Sequence, residues 1–391
     1  MNITRTIQSN LLSVRSLCSI PSLLPSSVTD ITTNLPQPNV WAIQSTRINT
    51  FASSSQHSSH TIHQQSFPLH HIKTISDLSR DDICNIIELA QNIRHVPQMY
   101  SERMVNKSLV MLFSKPSLRT RLSFEIGMTQ LGGHAVYYEL GEKSNLGSKE
   151  TIDDTAHVIS RYADIVMARV NSREQINKLS QYSTIPVING LDDYGHPCQI
   201  LADIQTIVQK KGNHVLNDKT KLNLVYCGDI ANNVTYDWLR ASAIMGWNYT
   251  AIGPSSNTYH IEQSVVDEYN QLSKSTGARI KVSHDMSDCR DADIIMTDSW
   301  MSYHLNKHEQ QQRFNELQPY RITSDIMKLC SSDSIFMHCL PANRDAEVTS
   351  DVIDGTHSVV FDQAENRLHA QKALICWLLQ DKHSTTQQIQ E

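Results

Sequence analysis

No apolar run in this sequence approaches the roughly 20 residues that a helix needs to span a bilayer, so the chain is expected to have no membrane partner. Basic charge is not in excess. The 34 Lys and Arg stand against 40 Asp and Glu, a net charge of −6, which argues against nucleic acid as a partner. The eight cysteines never form a C-x-x-C pair. That excludes a paired-thiolate metal knuckle and points to reduced thiols of an intracellular matrix, not to a disulfide framework. Gly-x-x-x-x-Gly-Lys is absent, so there is no Walker loop, and without Gly-x-Gly-x-x-Gly a nicotinamide enzyme is not expected.

The first 66 residues lack lysine and hold one acid, Asp30, beside Arg5, Arg15 and Arg47. They are rich in Ser and Thr and show no sustained periodicity. This is the composition of an organelle transit peptide, so residues 1–66 are expected to be a leader and the mature protein to lie in the mitochondrial matrix. A disordered tail without an address is the alternative.

A chain of 391 residues is too long for one typical core and suggests two domains. From about Phe67 apolar runs alternate with helical periods. Strands are expected at Leu109–Phe113, Ala135–Glu139, Asp164–Val170 and Ile185–Asn189, with helices at Ser117–Leu131, Lys149–Tyr162 and Arg173–Tyr182. A long helix, His196–Lys211, precedes a second series with strands at Leu222–Gly228, Tyr249–Gly253, Arg279–Ser283, Asp293–Thr297 and Ser334–His338. Such βα series imply an α/β fold of two domains, each a parallel sheet flanked by helices. The expected divisions are 67–205, 206–363, and a closing stretch 364–391. The helix in that last stretch is apolar on most sides from Ala370 and must pack back on the first domain.

Open α/β sheets bind ligands beyond their strand ends, and that is where the reactive side chains fall. Phe113 to Glu125 runs from a strand through Pro116 into a helix with Ser117 as N-cap. Free N–H groups, Ser117, Arg119, Thr120 and Arg121 together describe a phosphate cradle; a solvated basic helix start is the alternative. Leu122, Ile126, Met128 and Leu131 are expected on the apolar face of this helix. Arg169 ends a strand, and His196-Pro-Cys-Gln199 opens the long helix. Asn233 begins the helix that follows Cys227-Gly228-Asp229, and Asp298 places a carboxylate at a strand end, where it suits a cationic amine. Cys339, in His338-Cys-Leu-Pro341, reads as a zinc ligand, a nucleophile or a substrate contact. No Cys–His pair has clear metal spacing. Arg367 reaches the cleft if the last helix crosses between the domains.

Taken together, Ser117-Leu-Arg-Thr-Arg121, Arg169, His196-Pro-Cys-Gln199, Asp298-Ser-Trp-Met-Ser302, His338-Cys-Leu-Pro341 and Glu365-Asn-Arg367 resemble the aspartate/ornithine carbamoyltransferase family, in its ornithine branch, from about Leu69 to Leu379. The resemblance implies a eukaryotic mitochondrial type. It implies transfer of the carbamoyl group of carbamoyl phosphate to L-ornithine, a step of arginine biosynthesis or the urea cycle, with no cofactor and no metal. Residues 67–205 would then bind carbamoyl phosphate and 206–363 ornithine. By the same resemblance Ser117, Leu118, Arg119 and Thr120 hold the phosphate, Leu118 through its backbone N–H. Arg169 and His196 contact the carbonyl oxygen. Gln199 and the Leu340 carbonyl hold the carbamoyl NH2. Arg367 meets the transferring group. Asn233, Asp298, Ser302 and Tyr303 hold ornithine, and Cys339 lies by the attacking amine. Asn145 would reach a neighbouring subunit's phosphate site, which implies a homotrimer with shared sites.

Two departures from the family pattern bear on activity. Leu118 stands where a threonine is usual, so a hydroxyl to phosphate is expected to be lost. Tyr303-His304 replaces a flexible Met-Gly pair. Carbamoyl transfer to another amine, an acylated ornithine or putrescine, and a non-catalytic paralogue are the alternatives these departures raise.

Overall fold

A computed structural model describes residues 69–140, 146–217, 219–300 and 307–380. The expected leader and the end of the polar tail lie outside these residues. In the described part α1 (Arg80–His95) precedes β1 (Ser108–Phe113), α2 (Leu118–Gln130), β2 (His134–Glu139), α3 (Ile152–Tyr162), β3 (Ile165–Arg169), α4 (Arg173–Tyr182) and β4 (Val187–Leu191). The long α5 (Pro197–Lys211) leads to β5 (Asn223–Cys227), α6 (Asn233–Met245), β6 (Asn248–Ile252), α7 (Gln263–Leu272), β7 (Ile280–Ser283) and β8 (Ile294–Thr297). Then come α8 (Lys307–Leu317), the single-turn α9 (Ser324–Met327), β9 (Ile335–His338), the single-turn α10 (Ser350–Ile353) and α11 (Val360–Leu379).

Both sheets are parallel. Their orders are β2-β1-β3-β4 and β7-β6-β5-β8-β9. The strand order reverses beside β1 in one sheet and beside β5 in the other, which makes the C-terminal ends of β1, β3, β5 and β8 the natural binding crevices. The inner strands read as nearly unbroken apolar runs because helices cover both faces: Ile165–Ala168, Leu224–Cys227 and Ile294–Thr297 are all buried. Edge strand β2 instead leaves Val136 and Tyr138 exposed.

Local chemistry sets the helix ends. The Ser79 hydroxyl accepts from the Asp82 N–H to start α1, and Asn232 Oδ1 accepts from Thr235 N to start α6. Gly246, at φ 77°, takes the left-handed turn that ends α6. Pro197 sits in the first turn of α5, where its missing N–H leaves no gap.

The last helix packs against α5, α1 and α2, on the first sheet's side, as its apolar character requires. Ala370, Ala373, Leu374 and Ile375 are fully buried there. Each large aliphatic side chain so buried contributes about 1.5–3 kcal/mol. Gly127 makes the approach of α2 possible, since a Cβ at that position would lie 3.1 Å from Lys372 Cγ. α11 begins at Val360, four residues before the expected Ala364.

Two other expectations need correction. On α2, Met128 and Leu131 are buried as expected, but Leu122 and Ile126 are each 43% exposed. The face turned to the interior is Thr120, Ser123, Phe124, Gly127 and Met128. α11 requires small and polar groups at that contact, which displaces the aliphatic stripe outward. The α8 helix had no counterpart in the sequence reading, because Lys307–Leu317 is almost wholly polar and lacks an apolar period.

Candidate active site

A cleft of about 160 Å³ opens at the ends of β1, β3, β8 and β9 and the starts of α2, α5 and α6. One end is cationic. Ser117 is the N-cap of α2 in an extended conformation, and its hydroxyl makes no capping hydrogen bond. It lines the cleft with Arg119 and Thr120. Arg169, the last residue of β3, and Arg367, on the second turn of α11, close the same end. Arg169 Nη1 and Arg367 Nη2 each lie 3.4 Å from the Thr120 hydroxyl. Burial, then the Arg367 charge, pull the Arg169 pKa down to about 10. Arg169 Nε is buried without a hydrogen-bond partner. Guanidinium groups crowded away from water at a helix N-terminus describe an anion site.

His196 and Gln199 stand one turn apart at the start of α5. The His196 N–H donates to Asp237 Oδ2 at 2.7 Å, and Asp237 is itself paired with Arg240 at 2.9 Å. Burial, then the charges of Arg367 and Arg169, push the His196 pKa well below 6.5. The ring is therefore neutral at pH 7. Its Nδ1 is buried without a hydrogen-bond partner. Such a ring can donate to a carbonyl oxygen but is not an imidazolium. Gln199 Oε1 accepts from Arg367 Nη1 at 2.6 Å.

The other end is built for an amine. Asp298 follows β8, and its Oδ1 accepts from Ser299 N at 2.7 Å and from the Cys339 thiol at 3.0 Å. Burial, then the Asp298 carboxylate, raise the Cys339 pKa well above 9. The thiol stays protonated, so of the three roles open to Cys339 the thiolate nucleophile is excluded. The ligand atoms of Asp298, His338 and Cys339 lie within 4.8 Å of one another. Both His338 ring nitrogens are engaged, however, Nδ1 by Leu340 N and Nε2 by Glu347, and this does not fit a metal centre. Leu340 bends the chain after β9 with φ 57°. Asn233 lines the cleft from the first turn of α6, its Nδ2 donating to Asp192 O at 2.5 Å.

Ser117, Arg119, Thr120, Arg169, His196 and Gln199 thus meet Asn233, Asp298, Cys339, Leu340 and Arg367 in one cleft. Asn145, Ser302 and Tyr303 lie outside the described residues. Leu118 is the first residue of α2, where its N–H has no intrahelical partner. Its side chain is 69% exposed and lines a different, outer groove with Leu122 and Ile126. The expected loss of a phosphate-binding hydroxyl there finds no support in the structure, because the Leu118 side chain lines this outer groove and not the cleft. Arg121 also leaves the cradle: it stacks 4.0 Å over the Tyr137 ring and pairs with Glu125.

Sequence reasoning missed Asp237 and Asp203, which touch site residues from behind. Their only signal was a carboxylate inside an apolar helix period. It also missed Arg313 of α8, whose Nε donates to Trp300 O at 2.6 Å and which pairs with Asp229. Gly228 (φ 117°) lets the Trp300 ring lie against the end of β5, since a Cβ would lie 2.6 Å from Trp300 Nε1.

Family models agree with this geometry. Residues 70–209 match the aspartate/ornithine carbamoyltransferase carbamoyl-P binding domain, and residues 220–378 match the Asp/Orn binding domain of the same family. The ornithine carbamoyltransferase of Staphylothermus marinus is 42% identical over 314 residues, 78% of this chain and 96% of that protein. The solved ornithine carbamoyltransferase of Pyrococcus furiosus superposes with a TM-score of 0.74 at 39% identity, covering 79% of this chain and 96% of that one. The ornithine transcarbamoylase of Giardia lamblia does so at 0.73 and 38%, covering 80% and 99%. With cleft, sheets and both halves of the sequence in agreement, the chain belongs to the aspartate/ornithine carbamoyltransferase family.

Proposed function

We propose that this enzyme transfers the carbamoyl group of carbamoyl phosphate to the side-chain amine of L-ornithine, giving L-citrulline and phosphate in arginine biosynthesis. The observation that carries this reading is the polarity of one small cleft. Arg119, Arg169 and Arg367 line one end, and Asp298 with the Cys339 thiol lines the other. An acyl phosphate needs the first and a cationic amino acid the second.

Each group has a task in that reaction. Ser117, Arg119, Thr120 and the Leu118 N–H hold the phosphate. Arg169 and neutral His196 donate to the carbonyl oxygen, where negative charge grows as the amine attacks. Gln199 Oε1 and the Leu340 carbonyl accept from the carbamoyl NH2, and Arg367 follows the transferring group. Asn233 and Asp298, with Ser302 and Tyr303, hold ornithine, and Cys339 lies beside its attacking amine. The new C–N bond forms, the C–O bond to phosphate breaks, and the amine proton leaves with the phosphate. No covalent intermediate is needed; holding both substrates in one cleft removes much of the entropic barrier.

We further propose a homotrimer in the mitochondrial matrix, with Asn145 entering a neighbouring phosphate site. The trimer is supported by an outward apolar stripe, Leu118, Leu122 and Ile126, beside the open edge of β2 with Val136 and Tyr138 exposed. The location is supported by the Arg-bearing, acid-poor leader. The decisive experiment is citrulline formation from carbamoyl phosphate, with N-acetylornithine and putrescine as competing acceptors. Turnover of ornithine is expected, and turnover of either analogue in its place would refute the acceptor.

A further inference from the structure

Behind the cleft lies a carboxylate that the reaction does not consume. Asp203, one turn after Gln199 on α5, is 2% exposed. Its Oδ1 accepts from Gln199 Nε2 at 2.8 Å and from Gln363 Nε2 at 2.7 Å. Ionised or protonated on its other oxygen, the carboxyl group presents Oδ1 as an acceptor of both bonds, so both amides turn their NH2 to it. Their oxygens then face the other way. Gln199 Oε1 accepts from Arg367 Nη1 at 2.6 Å, and Gln363 Oε1 accepts from His338 N at 2.9 Å, just before Cys339 and Leu340.

We propose that Asp203 is a positioning residue that fixes the Gln199 amide with its oxygen toward the substrate, and through Gln363 secures the end of β9 on the same side. This rests on the reading that Gln199 holds the carbamoyl NH2. A carbamoyl NH2 is a donor and requires an acceptor opposite it. With Gln199 reversed, an NH2 group would face both the Arg367 guanidinium and the carbamoyl NH2, two donor–donor contacts at buried side chains. The phosphate end has no such dependence, because phosphate offers only acceptors and meets Arg119 and the start of α2. Orientation at Gln199 therefore affects recognition of the carbamoyl half alone.

The test is Asp203→Asn, which keeps shape and adds a donor. The expected result is a rise of about tenfold to a hundredfold in the KM for carbamoyl phosphate, while inhibition by inorganic phosphate changes less than about twofold. Gln199→Leu should show the same pattern. The double variant should be no worse than Gln199→Leu alone, since the two residues act as one unit. A parallel loss of phosphate inhibition in Asp203→Asn would show a merely structural role and overturn the proposal. An unchanged carbamoyl phosphate KM in Asp203→Asn, with the KM raised in Gln199→Leu, would overturn the positioning role and leave the parent reading standing. An unchanged KM in Gln199→Leu would overturn both.

Discussion

Arg169 and Arg367 converge on one hydroxyl, that of Thr120, each at 3.4 Å. Two buried guanidinium groups repel one another, and the low Arg169 pKa records burial and that repulsion. The arrangement is unfavourable until an anion enters. Arg169→Met keeps most of the volume and removes the charge. It is expected to lower kcat at least about a hundredfold, the scale of a lost oxyanion donor. The same variant should raise the melting temperature by about 1–2 °C, as relief of about 1 kcal/mol does in a chain of this length. Thermal scans and citrulline assays on one preparation check both; near wild-type turnover would remove Arg169 from the chemistry.

Cys339 is expected to act as a donor and not as a thiolate. Its thiol donates to Asp298, and burial beside that carboxylate keeps it protonated. Cys339→Ser retains a donor and should hold the ornithine KM within about threefold, whereas Cys339→Ala should raise it about tenfold. Iodoacetamide labelling at pH 8, followed by mass spectrometry, should find Cys339 slower than the half-buried Cys84. Faster labelling would show a thiolate.

The series of strands and helices was legible because each element carries its own period or cap. Arg173–Tyr182 agrees to the residue, bounded by Ser172, and the helix expected to begin at Asn233 does so, after Asn232 as its cap. Most of the cleft was legible too, since strand ends place Arg169, Asp298 and Cys339 by rule. What failed depends on neighbours distant in sequence. The outward turn of Leu122 and Ile126 follows from α11 lying on the opposite side of α2. The role of Asp203 follows from Gln363, 160 positions away. A local period carries neither.

The outward stripe on α2 gives a prediction about assembly. Leu118 is 69% exposed, and Leu122 and Ile126 are 43% exposed, on one helix face. Leu118→Thr should leave the carbamoyl phosphate KM within about twofold, because the side chain is outside the cleft. If the proposed trimer forms through this stripe, Leu122→Ser with Ile126→Ser should shift it toward monomer in light scattering at equal concentration. A trimer unmoved by both changes would place the interface elsewhere.

Asp203 also gives a pH signature in stability. Burial lifts its pKa from 3.8 to about 7, against the lowering effects of Gln199, Gln363, Arg367 and Trp238. The folded state therefore holds this proton more tightly than the unfolded state. For a group of that kind the stabilising contribution is complete below about pH 3.8 and declines as pH rises to about 7. The neutral Asp203→Asn variant has no such titration. Other groups, among them His196, whose lowered pKa acts in the opposite sense below pH 6.5, are common to both proteins and cancel in the difference. Wild type should thus lose stability relative to Asp203→Asn as pH rises from 4 to 7, with a flat difference above about pH 7.5. Urea unfolding of both proteins at half-unit intervals measures this. A difference that is constant from pH 4 to 7 would show that Asp203 is already ionised in the folded protein at pH 4.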